Sequence, residues 1–221
     1  MTVVVLLGAP GAGKGTQAGA IGRHLGVPHV ATGDLFRAAV SEGSTIGREA
    51  RRHMERGQLV PDDITIRMLL DRLGQPDAAR GAVLDGFPRT RAQAQVLDDA
   101  LETTGSQVDR ALLIDVPLED LVRRLSGRRI CEAAGHVYHI EANPPLVAGV
   151  CDLDGSALIQ RSDDHAETIR ARLTGQLGSL AEVVDHYRER GILRSVDGSR
   201  QIDDVSRSLL AELPATPEAR A

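Results

Sequence analysis

Nine residues decide most of what this chain can become. Gly8-Ala9-Pro10-Gly11-Ala12-Gly13-Lys14-Gly15-Thr16 stands between an apolar, β-branched run at 3–7 and a helical pattern at 15–25. A continuous apolar run of that kind reads as a strand buried on both faces, as in a parallel sheet. The glycines let the backbone curl without Cβ clashes. Successive N–H groups and the helix N-terminus then make a concave anion site. Gly8 and Gly13 keep the spacing of a phosphate-binding loop, and Lys14 reaches the outer phosphates as a point charge. Gly15 stands where Ser or Thr usually follows, and Thr16 comes one residue later. A glycine-rich turn without a ligand is the competing reading. The flanking strand and helix argue against it, and so does the lysine, the only one in a chain with 25 arginines. A coding bias toward Arg explains the ratio. The one lysine kept marks a position where a broad planar guanidinium does not substitute.

Short apolar runs recur at 27–31, 82–85, 111–116 and 192–196, with helical patterns between them. This alternation predicts an α/β fold: a five-stranded parallel sheet flanked by helices, with right-handed crossovers. Further helices are expected at 61–73, 91–102, 118–125, 163–190 and 201–213, and 214–221 is expected to fray. Two segments break the alternation. Residues 32–59 are polar and helical. Residues 128–160 hold clustered prolines and glycines, both cysteines, and the alternation Val137-Tyr138-His139-Ile140 of a small β unit. The expected partition is a core of 1–30, 61–126 and 165–221, a helical insertion at 31–60, and a β insertion at 127–164.

Composition excludes several classes. A formal charge of −5 over 221 residues argues against a general nucleic-acid or membrane-surface binder. No apolar run approaches the roughly 20 residues of a membrane span. The N-terminus has no basic stretch before an apolar core, and two cysteines do not make a secreted disulfide scaffold. A cytoplasmic protein is expected. The aromatics are Phe36, Phe87, Tyr138 and Tyr187, too few for a stacking platform on single strands.

The segment GAPGAGKGTQA resembles the adenylate kinase family of nucleoside monophosphate kinases, including the Lys-Gly-Thr order. The resemblance continues through TGDLFR, LDGFPRT, GRRIC, the RSDD segment and VDG, to about Leu213. It implies a P-loop NTPase fold of the long-lid type, with a helical NMP-binding insertion and a small β lid. It also implies a monomer catalysing ATP + AMP ⇌ 2 ADP with Mg²⁺. On the ATP side it points to Gly11, Ala12, Gly13, Lys14, Gly15 and Thr16 for the phosphates. Arg124 would stack on the donor adenine, with Arg128, Val137, Tyr138 and the Arg200 backbone nearby. On the AMP side it points to Thr32 facing the base, Arg37 and Arg89 on the phosphate with Arg161 and Arg172, and Gln58, Leu59, Val60, Gly86, Phe87 and Pro88 around them. Gln93 would read adenine, since a carboxamide matches adenine's donor and acceptor edge. Lys14, Arg89, Arg128, Arg161 and Arg172 would carry catalysis, because phosphoryl transfer is chiefly positioning and charge stabilisation.

Some of these positions also have local readings. Thr32 reads as a helix N-cap, a role that can coexist with facing the base. Asp85 sits at a strand's carboxyl end and can orient Mg²⁺-bound water; a turn aspartate is the alternative. Asp163 and Asp164 can orient arginines or cap a helix. The two insertions are expected to swing shut over both nucleotides, excluding water.

Many members of the family carry a zinc lid with C-x-x-C paired to C-x-x-C or C-x-x-D. Here Cys131 is followed three residues later by Ala134, and Cys151 by Asp154. A structural zinc site wants four protein ligands. Cys131, Cys151 and Asp154 match three, and no spacing places His136 or His139 as a fourth. The expectation is a lid held by packing and hydrogen bonds, against a zinc site or a disulfide, the latter disfavoured in a reducing compartment. Two other functions stay open: a kinase acting on UMP, CMP or GMP, and a nucleotide sensor without turnover. Thr32 and Gln93 favour AMP, and the arginine set speaks against a sensor.

Overall fold

The computed structural model describes residues 1–214, so the expected fraying of 214–221 lies, past Pro214, outside the described residues. In chain order its elements begin with β1 (Thr2–Leu7), α1 (Lys14–Leu25), β2 (His29–Ala31), α2 (Thr32–Ser41), α3 (Thr45–Glu55) and α4 (Asp62–Leu73). There follow β3 (Gly81–Asp85), α5 (Arg91–Glu102), β4 (Val108–Asp115) and α6 (Leu118–Gly127). Three short strands come next, β5 (Arg128–Cys131), β6 (Val137–His139) and β7 (Leu158–Ile159). The chain closes with α7 (Ala166–Glu189), β8 (Leu193–Asp197) and α8 (Ile202–Ala211).

The larger sheet is five-stranded and all parallel, in the order β2-β3-β1-β4-β8. The apolar run of β1 explains why it lies in the middle. Val4 and Leu6 point to one face, where they join Ile21, Leu112, Leu121 and Leu125. Val3, Val5 and Leu7 point to the other, with Leu84, Phe87, Leu97 and Tyr187. Side chains alternate along a strand, so an unbroken apolar run requires cover on both faces. The chain steps from β1 to one side for β2 and β3, then crosses to the other for β4 and β8. Ligands of such sheets bind at the carboxyl ends of the strands beside this switch. Here that point is the turn after β1, residues 8–13.

The helical insertion forms a close pair, α2 on α3, whose Phe36, Ala50 and Val60 share a small core with Ile64 of α4. Ser44 caps α3 by accepting the Gly47 N–H at 3.0 Å. At Gly47 the helices nearly touch: a Cβ there would lie 2.0 Å from the Ala39 carbonyl oxygen. The β insertion is a three-stranded antiparallel sheet, β6-β5-β7, packed on Cys131, Tyr138 and Cys151.

Three local expectations shift. The second strand starts at His29, not 27, because Pro28 has no N–H for the ladder. The long helix starts at Ala166, after a 3₁₀ turn at Ser162–Asp164. Thr32 does not cap α2. The strand β2 runs straight into that helix, so Thr32 is its first residue, and its buried hydroxyl donates to the Gly86 carbonyl at 2.9 Å.

Gly47→Ala should force α2 and α3 apart, at a cost of about 1–3 kcal/mol as for other overpacked sites. Urea unfolding is expected to show the midpoint falling.

Candidate active site

A cleft of about 1040 Å³ opens where the turn after β1 meets both insertions. Every nucleotide-site residue expected from the sequence lines it, with one exception. Phe87 is 1% exposed and packs its ring into the sheet's core. The strand end at Asp85 turns at Gly86, and that turn sends Pro88 and Arg89 to the cleft and Phe87 inward.

The floor is the phosphate loop. Gly13 immediately precedes α1 with φ +96°, a conformation that a side chain rarely tolerates. Lys14 folds back over the loop, its Nζ donating to the Gly8 carbonyl at 2.8 Å and the Ala9 carbonyl at 3.1 Å. Burial, offset only in part by Asp85, lowers its pKa to about 8. Arg89, Arg172 and Arg128 push in the same direction.

Around the loop stand Arg37, Arg89, Arg128, Arg161 and Arg172. Their positions are set by a framework of carboxylates and carbonyls. Asp164, itself 1% exposed, takes Arg128 in a two-pronged pair at 2.7 and 2.6 Å and Arg172 at 3.3 Å. Arg172 also reaches the Asp163 carboxylate at 3.1 Å. Arg89 donates to the Gly86 carbonyl at 2.7 Å and to Gln176 at 3.1 Å. Arg37 pairs with Asp34 at 2.5 Å, and Arg161 stands 3.8 Å from the same carboxylate. The sequence reading of Asp163 and Asp164 as holders of arginines matches this geometry. Gln176, on α7, has no local signal in sequence and gains its place from the helix's path past Gly57, whose carbonyl it also contacts.

The positive charges outnumber the carboxylates facing them. Burial lowers both Arg89 and Arg161 to about 10, and neighbouring guanidinium groups add to the shift. A polyanion placed here relieves that repulsion. Asp85 ends β3 beside the loop, its Oδ2 3.4 Å from His29 Nε2. Burial pushes its carboxyl up, but His29 and the charge of Lys14 outweigh that and leave it below its ordinary value. It is therefore ionised and suited to a hard cation or to waters around one.

Two further subsites flank the charged centre. On one side Arg124 donates to the Gly198 carbonyl at 2.8 Å, bringing α6 against the turn after β8 where Arg200 lies. On the other, Gln93 is 1% exposed, with Thr32 and Val60 also on the cleft wall. Its Oε1 accepts the Arg89 backbone N–H at 2.8 Å, and its Nε2 donates to Asp62 at 2.6 Å.

The lid corrects the count of metal ligands. Cys131, His136, Cys151 and Asp154 bring one ligand atom each to within 4.8 Å of one another. Cys131 Sγ lies 3.2 Å from Asp154 Oδ2, and His136 Nδ1 lies 3.3 Å from Cys151 Sγ and 3.4 Å from Asp154 Oδ2. Bonds of roughly 2.0–2.3 Å to a tetrahedral zinc give ligand separations of about 3.3–3.8 Å, so the donor set fits. His136 is the candidate fourth donor. The turn at residues 132–135 returns it beside Cys131, whose N–H donates to the His136 carbonyl at 2.9 Å. Both cysteines are free thiols, which removes the disulfide.

A lysine whose folded value lies below its unfolded one costs stability while charged. Between about 8 and the ordinary 10.5 only the unfolded chain keeps the proton, so stability rises with pH there. Lys14→Met should abolish this rise, seen as a flatter melting temperature between pH 8 and 10, and should melt no lower than the parent at pH 7.

A family model described as adenylate kinase matches residues 6–192. The chain is 44% identical to the adenylate kinase of Staphylococcus aureus over 207 residues, which cover 94% of this chain and 96% of that protein. It is 49% identical to the adenylate kinase of Exiguobacterium sibiricum over 202 residues, 91% of this chain and 94% of the other. With the adenylate kinase of Staphylococcus epidermidis the identity is 43%, again over 207 residues.

Proposed function

The chain belongs to the adenylate kinase family, and from that premise we propose which residues carry its reaction. It is a nucleoside monophosphate kinase that interconverts ATP and AMP with two ADP. The observation that carries the residue assignment is that Lys14, Arg37, Arg89, Arg128, Arg161 and Arg172 all line one cleft, with Arg124 and Arg200 on its wall as well as Thr32 and Gln93.

On this reading the loop amides of residues 11–16 and Lys14 hold the donor phosphates, and Lys14 exchanges two carbonyls for phosphate oxygens when ATP enters. Arg124 and the turn holding Arg200 flank the donor adenine, with Val137 and Tyr138 reaching in from the lid. Arg37 and Arg89 hold the acceptor phosphate, and Thr32, residues 58–60 and Gln93 surround its adenine. Arg128, Arg161 and Arg172 neutralise charge on the transferring phosphoryl group. Asp164 keeps two of them aimed before substrate arrives, so little reorganisation is needed during the reaction. Asp85 would hold Mg²⁺ through water, and the bound ion would supply further charge neutralisation at the donor phosphates. Residues 31–60 and 127–164 close over the cleft and exclude water as an acceptor. A cytoplasmic monomer is part of the same reading and is carried over from the family resemblance.

The test is diphosphate formation from ATP, Mg²⁺ and each monophosphate in turn. ADP from AMP is expected, with UMP, CMP and GMP far poorer. A preference for another monophosphate overturns the acceptor assignment. Lys14→Met should lower kcat by about 10²-fold or more, as removal of one charge-stabilising donor does elsewhere. Unchanged turnover removes Lys14 from the mechanism.

The lid group is suited to structural zinc, which would tie β5 to the segment before β7. One zinc per chain is expected by elemental analysis. Chelation should lower the melting temperature by several degrees while kcat at 25 °C stays within about twofold, since structural zinc contributes to folding rather than chemistry. His136→Ala should lose the metal.

A further inference from the structure

Gln93 is a more exacting reader than its residue type implies. A carboxamide presents a donor beside an acceptor. Adenine offers an acceptor at N1 and a donor at N6; a 6-oxopurine offers a donor at N1 and an acceptor at O6. Turning the amide over by half a rotation exchanges one reading for the other, so a freely rotating glutamine serves both bases.

In this chain that half-turn is blocked from two sides. The Arg89 backbone N–H, which can only donate, meets Gln93 Oε1 at 2.8 Å. The Asp62 carboxylate, which when ionised can only accept, meets Gln93 Nε2 at 2.6 Å. The carboxylate is itself held, because the Thr90 hydroxyl donates to its second oxygen at 2.9 Å. Thr90 in turn caps α5 by accepting the Gln93 N–H at 3.1 Å. Reversal would set N–H against N–H and oxygen against carboxylate at a residue 1% exposed, where water does not compensate. The held orientation leaves one Nε2 hydrogen and one Oε1 lone pair unused, which is what adenine needs. Asp62 stands behind Gln93 at the start of α4, outside the cleft lining.

We propose that Asp62 is a specificity-positioning residue: by fixing the Gln93 amide in one orientation it makes the acceptor site accept adenine and reject 6-oxopurine monophosphates. This rests on Gln93 facing the acceptor base, as proposed above.

The experiment measures kcat/KM for AMP and for IMP at saturating MgATP in the parent chain, Asp62→Asn, Asp62→Leu and Gln93→Leu. Asparagine can still offer an oxygen to Nε2, whereas leucine cannot. The AMP-to-IMP ratio should therefore fall in the order parent, Asn, Leu, by at least about fivefold for Asp62→Leu, the low end of a bidentate base contact. The KM for ATP should stay unchanged, which also reports an intact fold; should Asp62→Leu not fold, Asp62→Asn carries the test. A parallel loss for AMP and IMP with the ratio held overturns the proposal and leaves Asp62 a structural residue. A ratio that falls in Gln93→Leu but in neither Asp62 variant overturns the role of Asp62 alone. A ratio unmoved in Gln93→Leu overturns the acceptor-base reading, and the proposal with it.

Discussion

Everything at the centre of this molecule is arranged around like charges held closer than they would choose. Lys14 and five arginines share one cleft, and burial with mutual repulsion pulls Lys14, Arg89 and Arg161 below their ordinary values. Such a cluster persists only if something rigid opposes it. Asp164 is the main opposing group, buried and paired to Arg128 and Arg172 at once. Breaking a buried pair costs far more than an exposed one, because a charge is left without a partner. Asp163 and Asp164 thus hold Arg128 and Arg172 in fixed directions at the cleft wall, and removing either carboxylate leaves a buried charge without its partner.

The frame beneath that cluster follows from one apolar strand. β1 is buried on both faces, so helices must cover both faces of the sheet, and the turn leaving its carboxyl end falls at the switch in strand order. The two insertions depart from strand ends and helix ends beside that same point. Their small cores, Phe36 with Ile64 and Cys131 with Tyr138, are separate from the sheet's. The lid thus packs on itself, while the helical insertion packs on α4 at the edge of the core, so neither draws on the apolar faces of the sheet.

Much of this was legible in the sequence because the signals are local. The loop Gly8 to Thr16, the alternation of apolar runs and the α5 span each depend on neighbours a few residues apart. What was not legible depends on the chain's return from a distance. His136 joins the candidate donor group only because a tight turn brings it back to Cys131 and a second turn places Cys151 and Asp154 beside it. Asp62 meets Gln93 across 31 positions, and Gln176 meets Arg89 across 87. Phe87 fails as a cleft residue for the opposite reason: its motif is local, but a turn at Gly86 sends neighbouring side chains to opposite sides.

The resting posture of Lys14 sets a threshold for what can occupy the loop. Two of its three N–H donors are taken by carbonyls, so an incoming anion competes with an existing pair of hydrogen bonds for the ammonium. A chain of phosphates offers several oxygens to the ammonium, the loop amides and the arginines together. On the proposed reading, the loop's own carbonyls compete with a ligand for the ammonium, and a ligand bringing several charges at once outweighs them more readily than one bringing a single charge.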